Sequence, residues 1–152
     1  MGGKSLGASL ATAVAALACT ASAAGSGALS GPGTIRITDK LVRHLHVDAG
    51  HDGAGNLDFY RRLLFTKGTQ PKSIGHSDVT CIDTGTGSRN CSGTYFLPRG
   101  KIMVEGVLAS QLFYELAVVG GTGIYDNVRG TLTVTYLGGD PVREFLLFRL
   151  TV

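Results

Sequence analysis

Glu115-Leu-Ala-Val-Val-Gly-Gly-Thr-Gly-Ile-Tyr-Asp-Asn-Val-Arg-Gly-Thr-Leu-Thr-Val134 runs from an apolar segment through a glycine-dense stretch into a second, alternating segment. A Gly-Gly-Thr-Gly run invites reading as a phosphate cradle. Such a cradle needs a helix N-terminus behind the glycines, so that backbone N–H groups and the helix dipole meet the phosphate. Here Ile124 to Val134 is rich in β-branched residues and alternates after Val128, which predicts a strand. The glycines are therefore expected to serve hairpin geometry, and a nucleotide site is not expected.

The same pattern of short β-like runs and turn signals extends in both directions. Strands are predicted near 34–48, 57–66, 73–82, 91–97, 101–108, 112–119, 128–137 and 142–151. The separators include Gly50-His-Asp-Gly-Ala-Gly55, Lys67-Gly-Thr-Gln-Pro71, the Thr84–Asn90 loop, Pro98-Arg-Gly100, Gly120-Gly-Thr-Gly123 and Gly138-Gly-Asp-Pro141. Even spacing of this kind indicates an all-β sandwich or barrel. Mostly hairpin order favours a closed eight-stranded antiparallel β-barrel, because closure removes exposed edges. A barrel of that size has room inside for packed side chains or for one small ligand. No helical periodicity, internal repeat or second domain interrupts the barrel region, 34–152.

Upstream, Lys4, the alanine-rich run from Leu6 to about Ala18, and Ala21-Ser22-Ala23 make a signal peptide over 1–23 with cleavage after Ala23. Residues 24–33 form a small, polar, glycine-rich linker. Cys19 raises lipidation, but Ala16-Leu17-Ala18 is a poor lipobox. Cleavage leaves 129 residues of 152 and lowers the formal charge from +3 to +2 by removing Lys4. That charge is too small and dispersed to argue for nucleic acid, and no later run is apolar enough for a membrane span. Two cysteines remain, Cys81 and Cys91. An even count in an exported chain, across the polar stretch Ile82–Asn90, predicts one disulfide.

The features from Leu57 to Leu150 resemble the allene oxide cyclase barrel superfamily, which includes the dirigent proteins. The resemblance rests on Leu64-Phe65, Ile74-Gly75 ahead of Cys81, Gly100-Lys-Ile-Met-Val-Glu-Gly106, Leu116-Ala-Val-Val-Gly-Gly-Thr-Gly-Ile-Tyr125, Arg129-Gly130 and the closing strand Phe145–Leu150. Signal peptide and size are similar to the exported bacterial branch of the group. The resemblance implies an eight-stranded barrel, a small hydrophobic or phenolic ligand, no cofactor and a homotrimer. It also implies where activity departs. The inward glutamate and asparagine of the plant cyclases fall at His44 and His46, the second-strand asparagine near Arg62, and the tyrosine beyond Gly106 at Leu108. Only the cysteine is kept, as Cys81. Fatty-acid epoxide cyclisation is not expected.

The most suggestive local pattern is His44-Leu45-His46-Val47-Asp48. Period-two geometry places His44, His46 and Asp48 on one strand face. If that face looks inward, two imidazoles and a carboxylate form a candidate catalytic set, with Asp48 fixing a tautomer or a cation. An exposed polar face opposite Leu45 and Val47 accounts for the same alternation. His-x-His also invites a metal, but a firm site needs a third ligand and oriented partners; none is expected. Candidate ligand-contacting residues are Arg62, Tyr95, Tyr114 and Arg129, the last matching the arginine of the dirigent Ala-Arg-Gly run. No nucleophile elbow surrounds Ser92 or Ser110. Three functions stay open: a barrel directing cyclisation or stereoselective coupling, a non-catalytic ligand-binding barrel, and a structural or self-associating envelope protein.

Overall fold

Eight strands follow one another with each paired antiparallel to the next, and the last pairs back onto the first. They are β1 (Gly33–Val47), β2 (Leu57–Thr66), β3 (Gly75–Asp83), β4 (Arg89–Leu97), β5 (Gly100–Leu108), β6 (Phe113–Gly123), β7 (Arg129–Gly138) and β8 (Arg143–Thr151). Closure is made by the β1–β8 ladder, from Gly33 opposite Leu150 to Thr38 opposite Phe145. This computed structural model describes residues 33–50, 53–66 and 72–152. The expected signal peptide 1–23, Cys19, residues 24–32 of the expected linker 24–33 and the Lys67–Pro71 separator lie outside the described residues, and the last residue of that linker, Gly33, opens β1. The predicted closed barrel is the observed one, with strand ends within a few residues of those expected.

One expectation is refined. β6 runs through Gly120–Thr122 to Gly123, which enters the turn at 124–127 with φ 68° and whose carbonyl accepts the Asp126 N–H at 3.2 Å; Asn127 is also in the left-handed region, at φ 61°. The glycines are needed for close approach. A Cβ on Gly121 would sit 2.3 Å from the Tyr125 carbonyl oxygen, and one on Gly123 the same distance from that of Arg99. β7 follows directly, so no helix N-terminus stands behind these glycines.

Alternation divides each strand into inward and outward residues. In the half of the barrel that holds the start of β1 and the end of β8, the inward positions are Ile37, Leu64, Ile102, Val104, Leu132, Leu146, Phe148 and Leu150, all buried. Phe148 packs edge-on against Tyr95, with ring centroids 5.1 Å apart. Fully burying one such side chain contributes roughly 1.5–3 kcal/mol, so this packed half carries most of the apolar stabilisation. A bulge between Leu41 and Arg43 shifts the β1–β2 register. Before it, Ile37 and Asp39 are buried; after it, Leu45 and Val47 are exposed on the outer face.

Candidate active site

The other half of the barrel is open. Between the β5–β6 and β7–β8 connections a cavity of about 430 Å³ enters the interior. Its walls are largely apolar and aromatic: Leu41, Val79, Leu108 and Leu116, with Tyr95, Tyr114 and Tyr136. Cys81 and Cys91 face each other across β3 and β4, are joined by the predicted disulfide, and form part of the wall. Closing so short a loop stabilises by roughly 2–3 kcal/mol on a chain-entropy account.

Where the open half meets the packed half, charged residues occupy inward positions. Arg62 Nη1 lies 3.1 Å from Glu144 Oε2 and 3.4 Å from Asp39 Oδ1. The Glu144 backbone N–H donates to the same Asp39 oxygen at 3.0 Å, and the Tyr114 hydroxyl donates to Glu144 Oε2 at 3.4 Å. Asp39 lies behind the cavity, and its Oδ2 is buried without a hydrogen-bond partner. Two carboxyls thus share one guanidinium. Burial raises the Asp39 pKa to about 7 against the pull of Arg62, with Glu144 pushing the same way. Burial also raises Glu144, opposed by Arg62, and pushes the Tyr95 and Tyr114 hydroxyls well up. Glu144, a carboxyl whose pKa burial raises, faces the apolar cavity beside a fixed cation, a setting equipped for acid–base work.

A second polar cluster lies toward the rim. His44 Nε2 and His46 Nδ1 both donate to Asp58 Oδ1, at 2.7 and 2.9 Å, which fixes the orientation of each ring. Arg89 Nη1 lies 3.4 Å from Asp58 Oδ2 and donates to the Tyr60 hydroxyl at 3.0 Å. Burial would raise the Asp58 carboxyl, but the hydrogen bonds from His44 and His46 outweigh it and hold its pKa below the ordinary value. Among the described residues, no group of three or more His, Cys, Asp and Glu side chains is arranged to hold a metal ion.

Several solved structures share this architecture. A pyocyanin demethylase is 25% identical over 78% of this chain and 100% of its own, with a TM-score of 0.68. A pterocarpan synthase dirigent protein is 14% identical, covering 79% of this chain and 94% of that one, at TM-score 0.62. An exo-specific intermolecular Diels-Alderase is 16% identical, covering 78% and 98%, at TM-score 0.61. In fold, this chain is similar to all three, and its closed barrel is dirigent-like. No family model matches the sequence, and no curated protein sequence matches it.

Within this dirigent-like barrel the sequence-predicted residues fall into three groups. Arg62, Tyr95 and Tyr114 line the cavity together. His44 and His46 share a face as expected, but at the rim, with side chains 42% and 49% exposed. The carboxylate they meet is Asp58 on β2 rather than Asp48, whose Oδ1 accepts the Gly50 backbone N–H at 3.0 Å. Arg129 is exposed at the start of β7, at the packed end, and donates to the Val128 carbonyl. Sequence reasoning missed Asp39, Tyr60, Arg89 and Glu144. The signal for two of them was present: Asp39 follows Ile35 and Ile37, and Glu144 precedes Leu146, Phe148 and Leu150, at the same spacing of two. A lone carboxylate in an otherwise apolar alternation marks an inward charge.

Proposed function

We propose that this barrel binds a small hydrophobic or phenolic molecule and directs its cyclisation or stereoselective coupling. The observation that carries this reading is the open cavity, apolar along its walls and bounded within by Glu144, Arg62 and Tyr114. A chain or ring pair held in one conformation there loses little further entropy on reacting, so orientation supplies part of the acceleration. Glu144 exchanges a proton with a phenolic or enolic oxygen, and Arg62 stabilises negative charge that develops beside it. The structural neighbours named for cyclising and coupling chemistry support this class of reaction, and the 25% identical neighbour is named for its action on another small molecule.

Two broader proposals accompany it. The disulfide fits an oxidising compartment and supports export after cleavage at Ala23. The exposed apolar stripe Leu45, Val47, Phe59 and Ile82 on the outer face of β1–β3 supports self-association, for which a homotrimer is our proposal. A second reading of the cavity, binding without turnover, is favoured by one observation: both arginines that face it are already paired with carboxylates. The two readings separate in one experiment. Neutral phenols and conjugated polyenes are screened for binding, and those that bind are incubated, the phenols with an added one-electron oxidant to generate phenoxyl radicals, and resolved by chiral chromatography. The directing function predicts that Glu144→Gln keeps affinity within about threefold and loses product formation by about 100-fold. Affinity with no product from any bound compound would establish the binding reading instead.

A further inference from the structure

The rim cluster converges on one hydroxyl that the proposed chemistry leaves unused. Tyr60 and Arg89 both line the cavity and meet where Arg89 Nη1 donates to the Tyr60 oxygen at 3.0 Å. A phenol offers one hydrogen and accepts through its lone pairs. With Arg89 on the accepting side, the hydrogen is left over, and among the described residues it has no acceptor. A cationic donor on the oxygen also makes the O–H a stronger donor. Burial pushes the Tyr60 hydroxyl above its ordinary pKa, so the proton stays on oxygen at neutral pH.

The group is also held in place. His44 stacks on the Tyr60 ring at 4.6 Å with planes 3° apart, and the Arg62 guanidinium carbon lies 5.6 Å from the ring centroid. Arg89 is anchored by Asp58, and Asp58 by His44 and His46. Fixed donors of this kind act on whatever charge or dipole the site receives. We infer that the Tyr60 hydroxyl donates a hydrogen bond to an oxygen of the bound molecule, so that the cavity selects an aromatic ligand carrying a carbonyl or phenolate oxygen. This rests on the reading of the cavity as a small-molecule site. His44 and His46 then act as positioning residues, through Asp58 and Arg89, rather than at the reacting atoms.

The test compares 9-fluorenone with fluorene, which has the same rings and lacks the carbonyl, on wild type and Tyr60→Phe, a change that keeps the ring on His44. Tyr60→Phe is expected to weaken 9-fluorenone by about fivefold to tenfold and leave fluorene within about twofold. In the wild type alone, the infrared carbonyl band of bound 9-fluorenone should move to lower wavenumber than in hydrocarbon solvent, and Tyr60→Phe should move it back. An unshifted band in the wild type overturns the inference without any variant. So does a parallel loss for both probes, or wild-type 9-fluorenone affinity in a folded Tyr60→Phe. If neither probe binds the wild type, the cavity reading fails, and the inference with it.

Discussion

The two halves of this barrel are built from the same eight strands with the same alternation, yet they do opposite things. In the packed half the inward positions hold Ile37, Leu64, Leu132, Leu146, Phe148 and Leu150, and the interior is filled. In the open half they include Tyr60, Arg62, Arg89, Tyr114 and Glu144, and a cavity remains. Charged and hydroxyl-bearing side chains cannot close over one another as branched hydrocarbons do, since each needs a partner or water. The difference teaches that stability is concentrated at one end, which leaves the other free to hold groups that no core would choose.

That division can be broken most forcefully from the packed side. Phe148→Ala should cost about 3–5 kcal/mol of unfolding free energy by removing the centre of the filled half, measured by urea denaturation. A loss under 1 kcal/mol would show that the packed half is not where stability resides.

The open side responds differently, and its response depends on pH. Arg62→Met removes the one cation shared by Asp39 and Glu144. It should cost about 3 kcal/mol at pH 8, where both carboxyls are driven to ionise without a partner, and roughly 1 kcal/mol near pH 5, where protonation relieves them. Denaturation curves at the two pH values check this; equal losses at both would contradict the shared-cation account.

A smaller effect sharpens the same point. Asp39 has a folded pKa of about 7 against an ordinary 3.8, so the folded state holds this proton more tightly than the unfolded state. Its contribution therefore favours folding at acid pH and is lost as pH rises from about 4 to about 7. Asp39→Asn keeps an acceptor for the Glu144 N–H and for Arg62 while removing the titration. It should flatten the stability–pH profile, gaining about 1–2 kcal/mol on wild type between pH 5 and pH 8. A parallel profile would show that Asp39 is ionised throughout.

The packed half was the more legible in sequence. Alternating Leu and Val in β7 and Leu and Phe in β8 point inward by period alone, and the turn residues between strands place the hairpins. The open half was less so, for physical reasons that particular residues show. The bulge between Leu41 and Arg43 inserts a residue into β1, so His44 and His46 sit on the face whose earlier members are Ile37 and Asp39; nothing in the local alternation marks that shift. Asp48 was the nearest carboxylate in sequence, whereas strand pairing brings Asp58 beside His46 from β2. Tyr60 and Arg89 meet only because β2, β3 and β4 are adjacent in the sheet. Arg129 looked like its counterpart in a motif, and the topology carries it to the end away from the cavity.

The central claim is that the open half receives a ligand. The direct measurement is a fluorescence titration with the neutral probe 1-N-phenylnaphthylamine on wild type and on Leu116→Trp, which places an indole in the cavity from a wall residue. The account predicts saturable enhancement at one site per chain in the wild type. In the variant it predicts binding weaker by about tenfold or more with folding intact. Equal enhancement in both proteins would contradict it.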